Sequence, residues 1–124
     1  MEISERAKKI AEILDNKKAQ DIVIMRVADM TIISDYFVVA SAPNVSHVQM
    51  LADEVQFKLR DEDGVSPLRS EGERAGRWIV IDYGDVLVHI FHKEEREFYQ
   101  LERLWKVEGN FCDYSAEQEE KMKK

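Results

Sequence analysis

Cysteine and proline are scarce in this chain of 124 residues, and basic residues are fewer than acidic ones. It has one cysteine, Cys112, and two prolines. Its 18 lysines and arginines are outnumbered by 25 aspartates and glutamates, which gives a net charge of −7. A single cysteine excludes an intramolecular disulfide and a zinc site built on several cysteines. No apolar run approaches the ~20 residues of a membrane-spanning helix. The acidic balance excludes nucleic-acid binding that depends mainly on neutralising phosphates.

The chain does have enough apolar residues for one core, since 44% of its residues are hydrophobic, although 35% are charged. Its length is that of one ordinary domain. We therefore expect a single domain over 1–112 and a polar, disordered tail over 113–124, because the residues from Ser115 onward offer nothing to a core. Two acids among the first five residues are unlike a secretory or transit signal, so the expected location is the cytoplasm.

Hydrophobic periodicity predicts an α/β fold with three helices and a mixed sheet of about five strands. The helices are expected from Ile3 to Leu14, behind a capping box at Ser46 and Gln49, and over Glu94–Trp105. Runs of β-branched and aromatic residues predict the strands Asp21–Val27, Tyr36–Ala42, Trp78–Tyr83 and Val86–Phe91, with Val65–Ser70 an edge strand or extended loop.

The clearest local signal is a β-hairpin around Gly84 and Asp85. Glycine at the first central position suits a two-residue type II′ turn, and such a turn fixes the register of the flanking strands. Alternation gives an aliphatic face that should lie in the core: Ile79, Ile81, Tyr83, Val86, Val88 and Ile90. The opposite side, here called the mixed face, consists of Trp78, Val80, Asp82, Leu87, His89 and Phe91.

Two interpretations of the mixed face remain open on pattern alone. In the first, a helix covers it, so that Trp78 and Phe91 are core residues and Asp82 lies at the rim. In the second, the face is open and serves as a docking surface, because tryptophan is enriched among the residues that dominate binding energy and exposed apolar patches usually mark interaction sites.

Two segments resemble the signatures of a known family, the Iojap family of ribosomal silencing factors. They are WIVIDYGDVLVHIFHKEEREFYQLERLW at 78–105 and SDYFVVASAPNVSHVQMLADEV at 34–55. The similarity extends from about Ile3 to Trp105. The chain departs from the family pattern at Ala42-Pro43-Asn44, where members often carry a Gly-Thr-Ser-type turn.

The resemblance implies a topology similar to nucleotidyltransferases, without their activity and without a cofactor. It further implies binding to the large ribosomal subunit through a protein on its subunit-joining face, which blocks the small subunit and represses translation when nutrients are scarce. The family's docking surface maps onto Trp78, Asp82, Tyr83, Asp85, Leu87 and His89. Tyr83 conflicts with this role, because the hairpin register places it on the aliphatic face.

The chemistry of these residues suits a basic ribosomal protein. Trp78 and Leu87 supply apolar contact, while Asp82 and Asp85 can accept hydrogen bonds from its lysines or arginines. Arg96 and Tyr99, three residues apart on the last helix, either extend this surface or are solvated helix residues. Little or no direct contact with RNA is expected, and the resemblance permits a homodimer in the free state.

The alternative function is a nucleotide-processing enzyme of the nucleotidyltransferase type. It would need a glycine-rich phosphate cradle and paired carboxylates for Mg²⁺, and only Asp82 and Asp85 approach such a pair. The candidate ligands His47, His89, His92 and Cys112 lack metal-ligand spacing, so no metal is expected. A third hypothesis is a homo-oligomeric scaffold that pairs through the apolar hairpin.

Overall fold

Six strands form one mixed sheet in the order β3-β4-β5-β2-β1-β6, and the predicted α/β class is confirmed. The computed structural model describes residues 3–122. In chain order its elements are α1 (Glu5–Asn16), β1 (Gln20–Arg26), β2 (Tyr36–Ala42), α2 (Val45–Asp63), β3 (Arg69–Glu71), β4 (Trp78–Asp82), β5 (Val86–His92), α3 (Lys93–Tyr99), α4 (Leu101–Trp105), β6 (Phe111–Asp113) and α5 (Tyr114–Met122). Strands β2 and β5 are parallel and the other neighbours antiparallel. None of the described helices is long and apolar enough to cross a membrane.

The larger core lies on one side of this sheet, beneath α1 and α2. Ser4 caps α1 by accepting a hydrogen bond from the Ala7 amide at 3.2 Å, and the apolar stripe that follows includes Ile10 and Leu14, both fully buried. All six residues of the predicted aliphatic face are buried in this core. That half of the hairpin prediction is confirmed.

The hairpin has the predicted register. Trp78 pairs with Phe91, Val80 with His89, and Asp82 with Leu87. The Tyr83 amide donates to the Val86 carbonyl at 3.0 Å, which closes a two-residue loop, and Gly84 has the positive φ of +87° that such a turn requires at its first central position. The turn therefore determines which side chains reach the mixed face.

Helix α2 begins before the predicted capping box. The cap is Asn44, whose side-chain oxygen accepts from the His47 amide at 2.8 Å, so the prediction of a cap at Ser46 was wrong. Asparagine is at least as good a cap as serine. Gln49 is consequently free to donate to the carbonyls of Glu73 and Arg74, at 2.9 and 3.3 Å. It ties the loop before β4 to α2.

The last predicted helix, Glu94–Trp105, is broken in two at Gln100, which has a left-handed backbone with φ +47°. The break turns Leu101 and Trp105 toward a second, smaller apolar cluster on the other side of the sheet. The buried members of this cluster are Val23, Met25, Val27, Phe37, Val39 and Phe91. Two short helices thus replace the predicted single one.

The predicted disordered tail over 113–124 is not what the described residues show. Phe111–Asp113 adds a sixth strand beside β1, and Tyr114–Met122 forms α5, while Lys123 and Lys124 lie outside the described residues. The Ile22 amide donates to the Ser115 hydroxyl at 2.8 Å, and Tyr114 is buried in the larger core. Strand pairing at Asp113, the Tyr114 side chain and the Ser115 hydroxyl together dock this otherwise polar segment.

Candidate functional site

The structure divides the mixed face into a buried part and an open part. Phe91 is fully buried in the smaller cluster and His89 is 5% exposed, as the first interpretation expected. Trp78 and Leu87 pack against the same cluster but remain half-buried. The mixed face is therefore covered at Phe91 and His89 and partly open at Trp78 and Leu87.

An aromatic network orients Trp78. Its ring stacks on Phe91 with centroids 4.7 Å apart and contacts the ring of Tyr99 at 4.9 Å. Its indole N–H donates to Nδ1 of His89 at 3.2 Å. Because Nδ1 accepts, the neutral His89 ring carries its proton on Nε2, and that atom is buried with no hydrogen-bond partner among residues 3–122. The network fixes the indole while leaving part of it accessible at the surface.

Burial among these rings lowers the pKa of His89 to about 4, well below its ordinary 6.5. Protonation therefore favours the unfolded chain. The contribution of His89 to stability is complete above pH 6.5 and is lost as the pH falls toward 4.

We expect this loss to approach about 3 kcal/mol over that window. Denaturant unfolding between pH 7 and pH 5 should give a smaller slope of stability against pH for His89→Asn, which keeps an acceptor for Trp78 but does not titrate there. Equal slopes for the two proteins would contradict the buried neutral histidine.

The two acids of the predicted site are separated and each is paired within the chain. One oxygen of Asp82 accepts from the Gly84 amide at 2.8 Å, and the other lies 3.4 Å from Nε of Arg69. Asp85 accepts from Arg6 of α1 at 2.8 Å. Two carboxylates neutralised by different arginines do not form a metal-binding pair. The geometry therefore gives no support to the alternative of metal-dependent nucleotidyl transfer.

Tyr83 lies in the larger core, on the opposite side of the sheet from Trp78 and Leu87. Its side chain is only 6% exposed, burial raises the pKa of its phenol to about 12, and its hydroxyl has no hydrogen-bond partner in the described part of the chain. The structure thus places Tyr83 apart from the rest of the proposed docking residues.

Tyr83→Phe should therefore be neutral or stabilising by up to about 1 kcal/mol, because it removes a buried hydroxyl that lacks a partner. Thermal and denaturant unfolding measure this directly. A loss of stability above about 1 kcal/mol would mean that the hydroxyl makes a hydrogen bond in solution.

Of the two helix residues in the predicted site, the structure brings only Tyr99 to the mixed face. It is 48% exposed and covers one edge of Trp78. The Arg96 side chain turns away toward the ends of β1 and β2 and is only 10% exposed. Their spacing of three residues on one helix was not enough to place them together.

Three exposed aliphatic side chains near the hairpin turn were missed from the sequence: Ile32, Ile33 and Leu68. The Leu68 amide donates to the Asp82 carbonyl at 2.7 Å, and the loop holding both isoleucines ends at Asp35, whose amide donates to the Asp85 carbonyl at 3.0 Å. The sequence did carry a signal for them, since each is an aliphatic residue within a mostly polar stretch. They enlarge the apolar surface at this end of the sheet.

One group of described residues has the composition of a metal site: His92, Glu94 and Glu95, whose ligand atoms lie within 4.8 Å of one another. The guanidinium of Arg77 already neutralises both carboxylates, at 3.2 Å from Glu94 and 2.6 Å from Glu95. Nδ1 of His92 accepts from the Glu94 amide. This cluster fastens the start of α3 to the chain before β4.

Comparison with known proteins identifies relatives along the whole chain. The family model described as ribosomal silencing factor during starvation matches residues 1–124. A ribosomal silencing factor of Halalkalibacterium halodurans is 40% identical over 92 residues, 74% of this chain and 78% of that protein. The mouse mitochondrial assembly of ribosomal large subunit protein 1 is 28% identical over 113 residues, 87% of this chain and 48% of that protein.

The fold comparison agrees. A crystal structure of a protein from Chromobacterium violaceum superimposes with a TM-score of 0.79 at 35% identity, covering 89% of this chain and 92% of the other. The family model, the identity of the relatives and the shared fold concur, and the chain belongs to the ribosomal silencing factor family.

Proposed function

We propose that this protein binds the large ribosomal subunit through a protein on its subunit-joining face and blocks association with the small subunit, repressing translation under nutrient limitation. It acts in the cytoplasm by occupying a surface, not by catalysing a reaction. The observation that carries the proposal is the open part of the mixed face, where Trp78, Leu87 and Tyr99 present aromatic and aliphatic surface on a rigid hairpin. The name of the mouse relative, which refers to large-subunit assembly, supports the choice of subunit.

The open part has the anatomy of a protein interface. A half-buried tryptophan, held by stacking and by a hydrogen bond, offers a large apolar area with little conformational freedom left to lose on binding. Tyr99, which is 48% exposed, adds aromatic surface beside Trp78, and Leu68, which is 75% exposed, lies near the hairpin turn. Such a surface binds a complementary protein patch better than it binds a phosphate backbone.

Of the two acids at the hairpin turn, Asp85 is the one that is accessible to a basic partner. Asp85 is paired with Arg6, but its side chain remains 41% exposed, so a lysine or arginine of a partner can reach it. Asp82 is 13% exposed and serves mainly to brace the turn and Arg69. We therefore assign the electrostatic contact to Asp85 and the apolar contact to Trp78, Leu87 and Tyr99.

Co-sedimentation with purified ribosomal subunits tests the proposal. The protein should travel with isolated large subunits and not with small ones, and adding it before mixing should reduce the formation of joined ribosomes. Protein that neither sediments with large subunits nor reduces joining would overturn the proposal.

A further inference from the structure

Arg96 holds together three parts of the chain. Its Nη1 donates to the Gln20 carbonyl of β1 at 3.4 Å and to the Ser41 hydroxyl of β2 at 3.3 Å. Its Nε lies 3.6 Å from Oε1 of Glu102 in α4. The guanidinium therefore connects α3, which carries it, to the sheet and to α4 across the break at Gln100.

The α3–α4 pair depends on a few such contacts. Within these two helices, all of whose residues the structure describes, none is buried. The start of α3 is fastened by the exposed ion pairs of Arg77 with Glu94 and Glu95, and α4 rests on the smaller cluster through Leu101 and Trp105. Arg96 lies between these two attachments along the chain, close to Gln100, whose backbone is left-handed, and it contacts both the sheet and α4.

Tyr99 lies between Arg96 and the break, and its ring covers Trp78. Both residues belong to the seven-residue α3, so the contacts that Arg96 makes with β1 and β2 also hold the helix whose last residue is Tyr99. Oε1 of Glu102 is buried and lacks a hydrogen bond within residues 3–122, which makes the charge of Arg96 important for α4 as well.

We propose that Arg96 is a positioning residue of the docking surface: it holds Tyr99 against Trp78 and does not itself contact the ribosomal partner. The expected effect of Arg96 on ribosome binding rests on the proposed function. The burial of the side chain supports the positioning role, since the Arg96 side chain is only 10% exposed and its Nη1 and Nε already face Gln20, Ser41 and Glu102, which leaves little of it accessible to a partner.

The position of Tyr99 can be read in the free protein, without ribosomes. The Trp78 indole ring lies 4.9 Å from the Tyr99 ring, centroid to centroid, so Tyr99→Ala should shift the NMR resonance of the indole N–H by removing the ring current. Arg96→Met should shift it in the same direction, and Arg103→Met, the same substitution at an exposed arginine of α4, should leave it in place. If Arg96→Met does not fold, Ser41→Ala is the substitute, because it removes one acceptor of Arg96. It should shift the indole resonance in the same direction by a smaller amount. An unchanged indole resonance in folded Arg96→Met would overturn the positioning role.

Binding to large subunits then separates positioning from contact by a double-mutant cycle. Arg96→Met should weaken binding at least tenfold in the wild-type background and less than twofold in the Tyr99→Ala background. An equal loss in both backgrounds would show that Arg96 touches the partner itself and would overturn the proposal. Failure of the wild-type protein to bind large subunits would contradict the proposed function, while the indole measurement would still decide the role of Arg96.

Discussion

Alanine at Gly72 is expected to destabilise the protein by roughly 3–5 kcal/mol, the largest effect on folding that we expect of any single methyl group added to the chain. Gly72 has a φ of +88°, and a Cβ at this position would lie 2.1 Å from the carbonyl oxygen of Trp78 and 3.2 Å from its carbonyl carbon. Both are backbone atoms at the start of β4, so the clash cannot be relieved by rotating a side chain. The strand that carries Trp78 would have to move. Denaturant unfolding monitored by tryptophan fluorescence measures the loss.

Gly109 provides the matched control for this prediction. Its φ of +83° is nearly the same, but a Cβ there would meet nothing within 4 Å. Gly109→Ala should therefore cost only the conformational penalty of a left-handed residue, about 1–2 kcal/mol. If both variants lost the same stability, the contact with the Trp78 carbonyl would not be the cause.

Trp78→Ala should weaken binding to the large ribosomal subunit by about 30-fold or more, corresponding to the ~2 kcal/mol typical of a residue that dominates an interface. The substitution removes the largest side chain of the open part of the mixed face, together with the surface that Tyr99 packs against. Titration of large subunits in a sedimentation assay measures the change. Wild-type affinity in the variant would contradict a docking role for this surface.

Two further variants separate lost binding from lost folding. Trp78→Ala also removes the stacking on Phe91 and the hydrogen bond to His89, so it will reduce stability. Leu87→Ala affects the same surface with a smaller loss of packing, because Leu87 is only half-buried. Phe57→Ala is the control: Phe57 is 50% exposed on α2, which packs on the opposite side of the sheet. Reduced affinity in Leu87→Ala with normal affinity in Phe57→Ala would place the docking surface on the mixed face.

The hairpin could be predicted from the sequence residue by residue because its information is local. Gly84 determines the turn, the turn determines the register, and alternation assigns Tyr83 to the core and Trp78 to the other side. Burial on the mixed face could not be predicted in the same way. Whether Phe91 or Leu87 is covered depends on how Trp78, Leu101 and Trp105 pack against the smaller cluster, and the last two are placed by a break at Gln100 that no glycine or proline marks.

The ion pairs that Asp82 and Asp85 form with arginines also could not be predicted from the sequence. Asp82 and Asp85 are three residues apart and were predicted to bind a basic partner together, but Arg69 comes from a neighbouring strand and Arg6 from the first helix. Contacts between positions so distant along the chain depend on the packed fold. The same holds for Arg96, whose acceptors Gln20 and Ser41 lie on strands far toward the N-terminus.

The local character of the hairpin has a consequence for the order of folding. A hairpin with a two-residue loop can form within microseconds, whereas the parallel pairing of Tyr36 with Val86 must first close a long loop through α2 and β3. Trp78, Leu87 and Tyr99 all lie within one short stretch of chain on or beside that hairpin. The backbone that presents Trp78 and Leu87 can therefore form before the sheet that supports it is complete.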